Sequence, residues 1–245
     1  MCNIDVRQII TSGVGVIMQS SNRRIFLAGD STVQTYHNSE DNQGGWGEFL
    51  SNHFSEEVHV MNHSIGGRSS KTFVEEGRLQ KILEEITEGD FLFIQMGHND
   101  STKAKLERYT EPFTTYKDYL KMYIEGARKY YAIPILITPV ARLHVVNGHF
   151  INDFQDYCTA MKDLAEEEDV ILIDLMKNSL DFYENLGYEQ SLGLFMASIN
   201  QKDYTHFTKK GAKEIARLIV QTITEKDLLP KEVMIDLKRK MIKKS

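Results

Sequence analysis

Ser31 follows Gly29-Asp30 and precedes Thr32-Val33, directly after the apolar run Ile25-Phe26-Leu27-Ala28. A serine where a strand turns into a helix exposes its hydroxyl and shares its space with backbone N–H groups. That hydroxyl becomes a nucleophile at neutral pH only beside a base. His206 can be the base if an acceptor on its other nitrogen fixes the tautomer. Asp203 stands three residues before it. In a tight turn ahead of a helix its carboxylate reaches Nδ1, which leaves Nε2 facing Ser31. Acyl transfer also needs donors for a developing oxyanion. The backbone N–H groups of Ser31 and Gly67 can supply two, and Gly67 has no side chain to obstruct approach. The Asn99 amide can supply a third. Ser31, Asp203 and His206, with an oxyanion hole of Ser31, Gly67 and Asn99, form a complete set for a serine esterase.

These residues lie far apart in the chain, so a fold must gather them. Five short runs are mainly apolar: Ile25–Ala28, Val58-His59-Val60-Met61, Phe91–Ile94, Ile133–Ile137 and Val170–Ile173. Continuous apolarity, rather than alternation, marks strands covered on both faces. Pro134 fits only near the start of its strand. Between the runs apolar residues recur with a helical period: Leu79, Ile82, Leu83 and Ile86; Tyr116, Tyr119, Leu120 and Tyr123; Phe154, Tyr157, Cys158, Met161 and Ala165. A further helix carries Ala212, Ile215, Ala216 and Ile219, with Thr208 as its N-cap. Strand and helix alternate at intervals of about 30 to 45 residues, as in a string of βαβ units. The expected architecture is a three-layer α/β/α sandwich around a five-stranded parallel sheet. Functional groups in such a sheet gather at the carboxyl ends of the strands. Ser31, Gly67, Asn99 and Arg142 each follow a predicted strand. The Asp203–His206 segment lies just before the last predicted helix.

Gly29-Asp30-Ser31, Gly67, Gly97-His98-Asn99-Asp100 and Asp203-x-x-His206 resemble the four blocks of the SGNH hydrolase superfamily. Within it the chain is most similar to the rhamnogalacturonan acetylesterases, carbohydrate esterase family twelve. That closer resemblance rests on Gly45-Trp46-Gly47, Gly67-Arg68-Ser69, Glu76-Gly77-Arg78, Thr138-Pro139-Val140-Ala141-Arg142 and Thr205-His206-Phe207. It runs from Arg24 to Ile223. The resemblance implies a flavodoxin-like fold, no metal or organic cofactor, and hydrolysis of O-acetyl groups on galacturonate units of pectic rhamnogalacturonan. It also implies Ser31 as nucleophile, His206 as base, Asp203 as its orienter, and Ser31, Gly67 and Asn99 as the oxyanion hole. Arg142 and Arg68 are candidate substrate-binding residues, since guanidinium matches carboxylate geometry; ion pairing within the protein is their alternative. His98 is a third candidate beside the site, and packing is its alternative. The rival functions are an SGNH esterase acting on xylan-type sugars, small acyl esters or lipid, and a non-catalytic sugar- or nucleotide-binding module.

Composition narrows the partners. The chain has 245 residues, 41% hydrophobic and 26% charged, with a formal net charge of −6. This is a globular composition long enough for a sizeable core. The acidic excess argues against nucleic acid, and no apolar run is long enough to span a bilayer. Cys2 and Cys158 are the two cysteines, so no disulfide framework is expected. Gly66-Gly67-Arg68-Ser69-Ser70 lacks the Gly-Lys-Ser/Thr ending of a phosphate loop. Trp46, between two glycines, either stacks on a sugar or closes a helix over the sheet edge; the second is expected. Residues 1–23 read as a lead-in segment, 24–228 as the esterase domain and 229–245 as a basic tail. Apolar residues between Ile9 and Met18 follow Asp5, and no Ala-x-Ala site comes after them. The expectation is therefore no signal peptide, and a cytoplasmic enzyme working on imported oligosaccharides. Nothing in the sequence signals an oligomeric state.

Overall fold

The computed structural model describes residues 23–37 and 42–234. Five parallel strands form the central sheet: β1 (Arg23–Gly29), β2 (Val58–Asn62), β3 (Phe91–Gln95), β4 (Ile133–Ile137) and β5 (Ile171–Ile173), in the order β2-β1-β3-β4-β5. Each of the five apolar runs forms one of them. All five residues of β3 are buried, as a strand covered on both faces requires. Full burial of each such Ile, Leu or Phe contributes roughly 1.5–3 kcal/mol. Pro134 is the second residue of β4, opposite Leu92.

Two groups of helices cover the sheet. One comprises α1 (Trp46–Phe49), α6 (Leu175–Leu186) and α9 (Lys209–Glu225), which meet through α9. The other comprises α2 (Ser70–Glu75), α3 (Arg78–Glu85), α4 (Lys117–Lys129) and α5 (Gln155–Glu167). The expected α/β sandwich is therefore the observed architecture. Short helices α7 (Tyr188–Leu192) and α8 (Ala197–Asn200) precede the histidine segment. Thr208 caps α9 by accepting a hydrogen bond from the Gly211 N–H at 3.2 Å.

Trp46 is buried, and its indole N–H donates to Gln95 Oε1 at 2.8 Å. It closes a helix over the sheet and offers no face to a sugar. Cys158 is buried on α5, and burial pushes its thiol up to about 12, which makes it unreactive. Leu229 and Val233 are buried in the core, and Met234 bridges to Phe54. The segment from 229 thus packs on the domain through Met234. The basic residues Lys238 to Lys244, the lead-in before Arg23 and Cys2 lie outside the described residues. Among the described residues, no helix is long and apolar enough to cross a membrane. No group of three or more His, Cys, Asp or Glu is placed there to hold a metal ion.

Candidate active site

β1 delivers Ser31 to the carboxyl edge of the sheet. The chain turns at once, with the N–H groups of Val33 and Gln34 both bonded to the Asp30 carbonyl, at 3.1 and 3.0 Å. Asp30 points inward and is fully buried. Its Oδ1 accepts from the Thr32 N–H and the Thr32 hydroxyl, each at 2.8 Å, and its Oδ2 lies 3.1 Å from His98 Nδ1. Burial alone would raise the Asp30 carboxyl. The attraction and hydrogen bond of His98 and the bonds from Thr32 outweigh it, so the carboxyl is held below its ordinary value. Asp30 thereby shapes the turn that presents Ser31.

His206 reaches Ser31 from 175 residues further along the chain. Its Nε2 lies 2.9 Å from Ser31 Oγ, and its Nδ1 lies 2.8 Å from Asp203 Oδ2. The carboxylate can only accept, so Nδ1 carries the proton and Nε2 accepts from the serine hydroxyl. The other Asp203 oxygen accepts from the backbone N–H groups of Thr205 and His206, at 3.1 and 3.0 Å. Burial raises the Asp203 carboxyl, but these two backbone bonds and the His206 ring outweigh it and hold it below the usual carboxylate range. The ring is fixed from below as well. Phe207–Thr208 pairs antiparallel with Gln43–Gly44, which ties the histidine segment to the stretch leading into α1.

Gly66 packs directly on the serine: a Cβ there would stand 3.4 Å from Ser31 Cβ. Gly67 follows with φ +81°, a left-handed conformation that side chains resist. Among the described residues no hydrogen bond engages the backbone N–H of Ser31 or Gly67. Asn99 uses one amide proton to bond the Arg68 carbonyl at 2.9 Å, which leaves its second proton as a donor. Gly97, at φ +139°, lets the loop pass against Pro139, where any Cβ would collide. Buried Asp100 anchors the loop further. It accepts from the Ser70 N–H at 3.0 Å, the Ser70 hydroxyl and the Thr110 hydroxyl at 3.0 Å. Burial pushes its carboxyl up to about 6 despite those bonds.

The remaining candidates separate clearly. His98 is 5% exposed and has both nitrogens engaged, by Asp30 and by the Val140 carbonyl at 3.0 Å. It supports the serine turn and does not face the substrate space. Arg68 bonds Glu76 through Nε at 3.0 Å and the Gly66 carbonyl through Nη1 at 2.9 Å. Those two bonds make it a brace for the glycine turn rather than an open subsite. Arg142 alone of the three lines the cleft of about 690 Å³ that opens beside Asp203 and His206. Its guanidinium lies over the Phe154 ring, 4.7 Å from the centroid. Burial lowers it from its ordinary value, opposed by Asp153, Asp30 and Asp203.

Some residues escaped the sequence reading. Arg108 places Nη1 3.4 Å from the Gly67 carbonyl, and Lys202 and Tyr204 line the cleft with Arg142. Arg108 lies in a stretch of turns with no period to reveal it. Tyr204, inside Asp203-x-x-His206, was legible as a neighbour of the histidine but carried no sign of its exposure.

Comparison with known proteins places the chain among its relatives. Residues 25–219 match the model of the GDSL-like lipase/acylhydrolase family. The chain is 63% identical over 201 residues to a probable rhamnogalacturonan acetylesterase, YesY, of Bacillus subtilis, covering 82% of this chain and 92% of that one. It is 41% identical over 222 residues to the rhamnogalacturonan acetylesterase RhgT of the same organism, covering 86% and 94%. The crystal structure of Bacillus subtilis YxiM superposes with a TM-score of 0.76 at 31% identity, over 84% of this chain and 57% of that one. The chain therefore belongs to the GDSL-like lipase/acylhydrolase family.

Proposed function

We propose that this protein is a serine esterase that removes O-acetyl groups from pectin-derived rhamnogalacturonan oligosaccharides. One observation carries the chemistry: Ser31 Oγ, His206 and Asp203 form a continuous hydrogen-bonded line, 2.9 and 2.8 Å per link. The likeness to two rhamnogalacturonan acetylesterases supports the substrate.

Ser31 attacks the acetyl carbonyl while His206 Nε2 takes the hydroxyl proton. Asp203 holds the imidazole in its tautomer and stabilises the imidazolium. The carbonyl oxygen becomes an oxyanion, received by the N–H groups of Ser31 and Gly67 and by the Asn99 amide. His206 then protonates the departing sugar oxygen, and an acetyl-Ser31 ester remains. Water enters, gives its proton to His206 and attacks the ester. Acetate leaves as the proton returns to Ser31. The acetyl acceptor is thus a water molecule, and each proton passes through one ring nitrogen.

Acetate release from acetylated rhamnogalacturonan oligosaccharides, beside acetylated xylan and an aryl acetate, tests the reading. Preference for the pectic substrate is the expected result. Release from xylan or aryl acetate alone keeps the esterase and removes the pectic assignment. Asn99→Ala should lower kcat by roughly 10²- to 10³-fold with little change in KM, because the oxyanion exists only in passing. A change confined to KM in steady-state kinetics contradicts the oxyanion role.

A further inference from the structure

The Gly67 N–H, a donor to the oxyanion on the mechanism proposed above, belongs to a turn of two successive glycines. Glycine loses more freedom on ordering than any other residue, and neither glycine has a side chain to hold the turn. A donor helps catalysis most when it is aimed before the charge develops. The groups that fix this turn must therefore come from outside it.

The Gly66 carbonyl accepts from Arg68 Nη1 at 2.9 Å. A trans peptide points its N–H away from its carbonyl, so this bond sets the direction of the Gly67 N–H. The peptide before it is held by Gln34, whose Oε1 accepts from the Gly66 N–H. Gln34 is itself pinned. Its backbone N–H bonds the Asp30 carbonyl at 3.0 Å, inside the turn that presents Ser31. Gly45 closes on it so tightly that a Cβ there would stand 2.2 Å from the Gln34 carbonyl oxygen. Gly66 fills the gap between the two turns: a Cβ on it would meet Gln34 Oε1 at 3.1 Å and Ser31 Cβ at 3.4 Å. The next backbone tie upstream is the Ile65 N–H to the Gly29 carbonyl, at 3.1 Å. One side chain thus joins the turn of the nucleophile to the turn of the glycine donor.

We propose that Gln34 is a positioning residue for acyl transfer: its side-chain oxygen locks the Gly66-Gly67 turn against the serine turn and so aims the Gly67 N–H at the place the oxyanion will take. This rests on the esterase reading given above and deepens it. In this role Gln34 touches no reacting atom and acts through Gly66.

Gln34→Leu keeps the bulk and removes the acceptor. Losing a whole oxyanion donor costs roughly 10²- to 10³-fold, and a donor kept but loosened costs less. On an aryl acetate the variant should lose roughly tenfold in kcat, with KM within about twofold of the native value. Phenylboronic acid, whose tetrahedral adduct on Ser31 places an oxygen where the oxyanion forms, should inhibit the variant roughly tenfold more weakly. That inhibition constant does not depend on how much of the enzyme is active, so damage to the fold alone leaves it unmoved. An unchanged kcat, a loss confined to KM, or an unchanged boronate affinity overturns the proposal. A second arm uses the native protein. Amide exchange followed by NMR should find the Gly66 N–H at least about tenfold slower than the unengaged Gly67 N–H. Equal exchange at the two overturns the lock. A native protein that hydrolyses no aryl acetate, yet protects the Gly66 amide and loses that protection in Gln34→Leu, discards the esterase reading and leaves Gln34 as the clamp of this turn.

Discussion

Ser31→Ala should lower kcat on an aryl acetate by roughly 10⁴- to 10⁶-fold while the melting temperature stays where it was. The size follows from the line of hydrogen bonds. Without Oγ there is no atom to accept the acetyl group, and His206 can at best activate water from a position set for the serine. The oxyanion donors remain, so residual hydrolysis above the uncatalysed rate is expected. Stability is spared because the bond lost is the 2.9 Å contact to His206 at the edge of a cleft. Tyr36 holds this turn through the Ser31 backbone carbonyl at 2.9 Å, which alanine retains. Initial rates and thermal melts on the same preparations decide the matter. Turnover near the native rate ends the nucleophile assignment.

Asp203→Asn should cost roughly 10⁴-fold in kcat, with the backbone undisturbed. The direction is set by the second carboxylate oxygen. The Thr205 and His206 backbone N–H groups both point at Oδ1 and require an acceptor there. In the variant that place goes to the amide oxygen, which turns the NH₂ group toward His206 Nδ1. An NH₂ donor forces Nδ1 to accept, so the ring proton moves to Nε2. Nε2 then cannot take the serine proton. Asp203→Ala removes this wrong donor, so it should be no worse than the asparagine variant. Single-turnover kinetics with an aryl acetate measure both. An asparagine variant clearly more active than the alanine variant contradicts the tautomer argument.

The sheet was legible because the strands centre on short, mainly apolar runs; β3 is buried throughout, whereas β2 at the sheet edge carries exposed His59 and was placed by its length and β-branched residues. Helices α4, α5 and α9 were legible for the matching reason: one face is consistently apolar. Helix α6 was not, because its buried face carries Ser179. That hydroxyl donates to the Leu175 carbonyl at 2.7 Å and accepts from the Ala141 N–H at 3.0 Å. A polar residue on the core face erases the period that sequence reading depends on. Among the site residues, Ser31, Gly67, Asn99, Asp203 and His206 stood out because each sits in a short motif at a strand end or helix start. His98 stood in such a motif too, yet it faces inward. Motif membership identifies the loop, while the direction of each side chain depends on partners such as Asp30 and Val140. Arg108 and Lys202 carry no local mark, since their neighbours at the site come from distant parts of the chain.

The pairing of Phe207–Thr208 with Gln43–Gly44 has a consequence for synthesis. The serine turn emerges from the ribosome early, whereas its base is translated 175 residues later. On the proposed mechanism the hydroxyl stays an ordinary alcohol until His206 reaches it. Helix α9 begins at Lys209, directly after the ribbon, and rests on α1. Esterase activity is thus a reporter of finished translation and packing. A chain halted before His206 contains all five strands of the sheet, and on the proposed mechanism it should release no acetate.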